Sequence, residues 1–140
     1  MYSLHQLLMK TYLQMKRQVS AQATPLGLSP GQPKVLEFLA QQGEHEQKDI
    51  ADYCEIEPAT VGSLLLRMET AGLVTRRNRP HNRRSLYVSL TPKGEELAGI
   101  LQGIFQEAEG QITANLTEEE EKDLVRLLAK CLEHGKGNRE

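Results

Sequence analysis

The feature that most constrains the fold of this chain is a change of hydrophobic period at Gly72. Upstream of it, behind Pro58, Val61, Leu64, Leu65 and Met68 recur at three- and four-residue spacing, the pattern of one buried helical face. Proline suits the first helical position, where its missing N–H would be unpaired in any case, and Gly72 stands where a left-handed cap would end the helix. Downstream the period becomes two. Leu73, Val74 and Thr75 begin one strand, and Leu86, Tyr87, Val88, Ser89 and Leu90 make the returning one. Between them runs R-R-N-R-P-H-N-R-R, with the turn formers Asn78, Pro80 and Asn82. Ahead of Pro58, a short helix from about Gln47 to Tyr53 faces Ile50 and Ala51 inward, and the turn 54–57 points Ile56 at the same core. Helix, turn, helix, strand, arginine-rich loop and strand, in that order, predict a winged helix-turn-helix.

Charge placement gives this segment a partner. Residues 67–93 carry seven Lys/Arg against the single acid Glu69, a net of +6, while the rest of the chain totals −8. A mildly acidic protein that gathers its positive charge into one hairpin has an electrostatic footprint for a polyanion. The outward face of the second helix carries Ala59, Thr60, Gly62, Ser63, Leu66, Arg67 and Thr70, mostly small or hydroxylated near its start. Such a surface can enter a major groove, and guanidinium groups on a Pro/Asn tip suit the electronegative minor groove beside it. We therefore expect Thr60, Gly62, Ser63 and Arg67 to form the reading face, with Arg76, Arg77, Arg79 and Arg83 neutralising phosphates. With eight such contacts in a dimer, log K against log salt should slope near −7, on the order of 0.9 per contact.

The flanks are helical. Residues 3 to about 20 form an amphipathic helix with Leu4, Leu7 or Leu8, Tyr12 or Leu13, Met15 and Val19 along one face, and 21–28 read as a connector. Ser29-Pro30-Gly31-Gln32 has the form of a capping box opening a support helix that buries Val35, Leu36, Phe38 and Leu39 and ends at Gly43. Thr91-Pro92 starts a long helix to about Asn115, marked by Leu97, Ile100 or Leu101, Ile104, Phe105, Ala108 and Ile112. Thr117 to Glu120 is a second capping box, before a last stripe of Leu124, Leu127, Leu128, Cys131 and Leu132 and a frayed tail from Gly135. Three amphipathic helices at the chain ends exceed what one small head can cover, so a two-fold dimer interface is expected. The fold class is thus mainly α with a small β-hairpin wing. Residues 1–22 and 92–135 supply dimerisation helices, and 29–91 the reading head.

The motifs I-E-P-A-T-V at 56–61, M-E-T-A-G-L-V at 68–74 and N-R-R-S-L-Y-V-S-L-T-P-K-G at 82–94 resemble the MarR family of bacterial regulators, those related to the multiple antibiotic resistance repressor. The similarity runs over nearly the whole chain. It implies a dimeric repressor of a pseudo-palindromic site on double-stranded DNA, relieved by a small effector, often an anionic aromatic compound, that changes the separation of the two heads. The family wing carries Asp-x-Arg, an acid bracing the loop and an arginine entering the minor groove. Here the pair is Asn82 and Arg84, so the groove contact carries over to Arg84 while the ionic brace does not. Gly62 stands where the family often has Ser or Thr, and it loosens the helix by about 1 kcal/mol relative to Ala.

The same residues bear on other functions. Tyr12 and Lys16, one helical turn apart, could hold an aromatic anion between them, although a core tyrosine beside a surface lysine is the simpler reading. Cys54 in the helix-turn-helix turn could sense oxidants, but peroxide-sensing relatives place their reactive cysteine in the first helix, which has none here, so both Cys54 and Cys131 are read as structural. His5, His45, His81 and His134 are isolated, with no metal-ligand spacing, and no cofactor is expected. A winged helix that binds protein in place of DNA predicts an acidic or apolar wing. An enzyme predicts a nucleophile, phosphate-loop or metal motif, and none is present. No stretch approaches the roughly 20 apolar residues that span a bilayer and no signal peptide is visible, so the expected location is the cytoplasm.

Overall fold

The computed structural model describes residues 1–137, with the side chains of 82, 83 and 134–137 outside the described set. Helix α1 (Leu4–Ala23) begins at a capping box: Ser3 N–H donates to Gln6 Oε1 at 2.8 Å, and Gln6 N–H donates to Ser3 Oγ. It runs three residues further than the sequence suggested, so the connector shrinks to a 3-10 turn (Thr24–Leu26) closed by Gly27 at φ 83°. Helix α2 (Gln32–Gln42) then starts later than the Ser29-Pro30 motif indicated. Gly31 at φ 92° is its cap, and Pro33 takes the first turn. Only half of the expected box forms, because Ser29 N–H donates to Gln32 Oε1 while Ser29 Oγ is buried without a partner among the described residues.

A short strand, β1 (His45–Glu46), leads into α3 (Gln47–Cys54) and α4 (Pro58–Thr70). Strands β2 (Val74–Arg79) and β3 (Asn82–Leu90) form the wing, and the antiparallel sheet has the order β1-β3-β2. Helix α5 (Pro92–Ile112) ends slightly before Asn115, and α6 (Glu118–Gly137) continues past Gly135, where a frayed tail was expected. The Thr117–Glu120 box forms in both directions, at 2.9 and 3.1 Å.

One core holds the head together. Val61, Leu64, Leu65 and Met68 of α4 are all buried, with Ile50 and Ala51 of α3, Val35, Leu36, Phe38 and Leu39 of α2, and Ala98, Leu101, Ile104 and Ala108 of α5. Each large apolar side chain buried this way is worth about 1.5–3 kcal/mol relative to exposure. Of the two alternatives at 100 and 101, Leu101 goes inside and Ile100 stays exposed.

The junction of head and α5 is tight. Thr91 N–H donates to Leu73 O, Thr91 Oγ1 donates to Gly72 O at 2.6 Å, and Lys93 Nζ donates to Ala71 O at 3.0 Å. A Cβ on Gly94 would lie 2.1 Å from Leu73 O, so no other residue fits there without moving backbone. The T-P-K-G motif therefore stitches the start of α5 to the end of α4, residue by residue. Elsewhere the chain is open. Leu4, Leu7, Leu8 and Tyr12 on α1 and Leu124, Leu127, Leu128 and Leu132 on α6 are exposed.

Candidate nucleic-acid interface

The turn between α3 and α4 sets the outward face of α4. Cys54 is the last residue of α3 rather than part of the turn, and Glu55 takes the left-handed conformation at φ 55°. Ile56 then packs on the core, and α4 starts at Pro58. With the apolar stripe inward, Thr60, Ser63, Leu66, Arg67 and Thr70 are exposed together on one surface. Gly62 lies between them, partly covered: the amide of Gln47, the first residue of α3, would lie 3.3 Å from a Cβ at this position. The space vacated by a larger side chain is thus filled from α3.

The wing departs from the expected loop. All of 76–79 and 82–84 lie in strands, leaving only Pro80 and His81 as the turn. Strand alternation then divides the arginines, since successive residues point to opposite faces and directly paired residues share one. Arg76 pairs with Val88 and Val74 with Leu90, which puts Arg76 on the core side, its side chain only 15% exposed. Arg77, opposite Tyr87, points out and is 70% exposed. Arg79, two residues on, lies on the same side as Arg77, bonded to the same Glu44 carboxylate, and it sits over the Tyr87 ring, 4.1 Å from the centroid.

An acid from outside the basic run braces this face. Glu44 accepts from Arg77 and from Arg79, each at 3.0 Å, and the bond from Arg79, followed by that from Arg77, holds its carboxyl below the usual carboxylate range. On the neighbouring residue pair, Tyr87 Oη donates to Glu46 Oε1 at 2.8 Å. The ionic brace missing from Asn82 is therefore supplied by the segment around β1, which sequence reasoning did not find. The side chains of Asn82 and Arg83 lie outside the described residues. Arg84 is exposed and, with Lys48 and Pro58, borders a depression of about 360 Å³ between β3 and the starts of α3 and α4.

Arg76, expected among the phosphate contacts, lies apart from the exposed arginines, with its side chain 15% exposed. It reaches Glu69 Oε1 of α4 and Gln47 Oε1 of α3, at 3.4 Å each. The physical reason is its strand position beside Val74, on the buried side of the wing.

A second concavity, of about 150 Å³, lies between α1, the segment leading into α2, and α5. Tyr12 and Lys16 both line it, as do Met15, Phe105, Ser29, whose buried hydroxyl has no partner among the described residues, and a residue not foreseen, Lys34. Two ammonium groups, a phenol and apolar walls are the chemistry that receives an aromatic anion. Cys54 is buried, with its Sγ 3.7 Å from Lys34 O, and burial pushes its thiol up to about 11. At neutral pH it is a thiol, a poor nucleophile toward oxidants. Cys131 is exposed on α6. Among the described residues no three His, Cys, Asp or Glu side chains group as metal ligands, and no helix is long and apolar enough to cross a membrane.

Comparison with known proteins gives a consistent result. Residues 28–86 match the family model described as the MarR family. The chain is 33% identical over 114 residues to the homoprotocatechuate degradative operon repressor of Escherichia coli, covering 81% of this chain and 76% of that protein. Among solved structures, the MepR–DNA complex of Staphylococcus aureus is 26% identical with a TM-score of 0.84, covering 96% of this chain and 99% of that one. A Mycobacterium tuberculosis MarR family protein in complex with salicylic acid is 27% identical with a TM-score of 0.74, covering 94% and 97%.

Proposed function

The chain belongs to the MarR family, and from this we propose that it is a sequence-specific DNA-binding transcriptional repressor, acting in the cytoplasm as a homodimer that a small aromatic anion releases from its operator. The observation that carries the reading is the shared surface of α4 and the wing: Thr60, Ser63 and Arg67 exposed on the helix, with Arg77, Arg79 and Arg84 exposed on the adjacent strands. A two-fold dimer presents two such heads about one DNA turn apart, roughly 34–36 Å, and so selects a pseudo-palindrome. Phosphate contacts by the wing fix register, while the hydroxyls and Arg67 on α4 read base edges. Arg84 enters the minor groove. The apolar residues left exposed on α1 and α6 form the dimer interface.

The cavity at Tyr12, Lys16 and Lys34 supports the release step. It lies where α1 and α5 meet the start of the head, so an anion seated there favours one head spacing over another. That difference in affinity is all that coupling requires. Salicylic acid bound to one relative and DNA bound to another fit the same two-site scheme.

The test is titration of the purified protein against the duplex upstream of its own gene and a scrambled duplex, across a salt series. We expect preference for the native duplex, with log K falling against log salt at about −5 or steeper. Salicylate should weaken that preference, and Lys16→Ala should blunt the salicylate effect without changing binding in its absence. A slope flatter than about −2 on both duplexes would overturn the reading and favour a protein-binding winged helix.

A further inference from the structure

We propose that Arg76, despite lying in the arginine-rich run, is a positioning residue for the recognition helix α4 and does not contact the phosphate backbone; the inference rests on the DNA-reading function above. The guanidinium bridges two elements of the head. One terminal nitrogen donates to Glu69 Oε1, near the end of α4, and the other to Gln47 Oε1, at the start of α3. Its Nε is buried without a partner among the described residues, and the side chain as a whole is only 15% exposed. Arg77 and Arg79, by contrast, are 70% and 54% exposed.

The bridge continues to the reading face itself. The far end of the Gln47 amide lies against Gly62, at the 3.3 Å approach that a side chain there would crowd. Gly62 sits between Thr60 and Ser63. The wing base, the end of α4, the start of α3 and the middle of the reading face are therefore joined through three polar side chains, Glu69, Arg76 and Gln47. A planar guanidinium with a fixed fork of donors can hold two acceptors at once, which a lysine ammonium on a flexible stem does poorly. The bridge sets the orientation of α4 relative to the wing, and with it the register of base contacts against phosphate contacts.

Positioning and phosphate contact make opposite predictions. If Arg76 touched phosphate, Arg76→Gln would weaken binding to every duplex and flatten the salt slope by about 2 per dimer, while Glu69→Gln, by removing a negative charge near DNA, would strengthen binding. If Arg76 positions α4, both variants lose discrimination together. The experiment uses the full-length protein and a duplex enriched from random-sequence DNA by the wild type, beside its scrambled counterpart. We expect Arg76→Gln, Arg76→Lys and Glu69→Gln each to reduce the enriched-to-scrambled affinity ratio about tenfold, with the salt slope on the scrambled duplex unchanged. Arg77→Gln, the control, should flatten that slope and leave the ratio intact. Circular dichroism checks folding of each variant, and Glu69→Gln together with Arg76→Lys carries the test if Arg76→Gln does not fold. A flattened slope in Arg76→Gln together with tighter binding by Glu69→Gln would overturn the assignment. Failure of the wild type to enrich any duplex would overturn the DNA-reading function beneath it, a result visible before any variant is made.

Discussion

Helices α4 and α6 carry nearly the same apolar spacing and meet opposite fates. In α4, Leu64 and Leu65 are 2% and 0% exposed; in α6, Leu127 and Leu128 are 49% and 46% exposed. The difference lies in what the rest of the chain offers. Around α4, helices α2, α3 and the wing close a shell, whereas the side chains of α6 from 118 to 133 are exposed throughout. An amphipathic stripe therefore fixes that a face will be buried without saying by which chain. For α4 the answer is its own protomer; for α6 and the first half of α1, the function proposed above makes it the partner.

The largest effect that would sharpen this contrast is in α4. Leu65→Ala should destabilise the protein by about 2–5 kcal/mol, read as a fall in urea midpoint with the slope unchanged, at every protein concentration. Next is Leu128→Glu in α6. It should convert the dimer to a monomer by light scattering and abolish the concentration dependence of the melting temperature while leaving the helical signal in place; a melting loss as large as that of Leu65→Ala at high dilution would break the comparison. Smaller is Thr91→Ala, which removes the cap of α5 and its bond to Gly72 O. It should cost about 1 kcal/mol by the same urea titration.

The smallest effect is at Glu44. Its carboxyl is held below the ordinary value by Arg79 and Arg77, so its contribution to stability is fully present above the unfolded carboxyl range and is lost as pH falls through the lowered folded value. Because this pair lies toward the surface, Glu44→Gln should cost under about 1 kcal/mol at pH 7. The difference from wild type should vanish in acid, checked by melting at pH 7 and pH 2.

Much of this was legible in the sequence, for physical reasons that also explain the misses. The α4 stripe, Gly72 and the Thr91 and Thr117 caps are short-range signals, and each formed at the residue expected. At Ser29 the same kind of signal misled, since Gly31 takes a positive φ and shifts the start of α2, leaving one half of the box. Strand β1 is two residues long, too short for any period to show, so Glu44 and Glu46 gave no sign of reaching across to the wing. From sequence the arginines read as one DNA-facing loop, because Asn78, Pro80 and Asn82 signal turns. Had the alternation starting at Val74 been carried through, position 76 would have fallen on the inner face. The cavity at Lys34 was out of reach, because it joins α1, the start of α2 and α5, helices whose relative angles no local pattern fixes.

The stitching of Thr91, Lys93 and Gly94 to the carbonyls of residues 71–73, just past the end of α4, turns α5 into a lever. At 21 residues it is about 30 Å long, with the reading helix clamped to one end and Phe105, on the wall of the cavity at Tyr12 and Lys34, further along its length. A tilt of about 5° at the far end sweeps the clamped end through about 3 Å over that length, close to the rise of one base pair. A displacement too small to break any contact inside the head is then enough to take both reading helices out of step with the grooves of one operator.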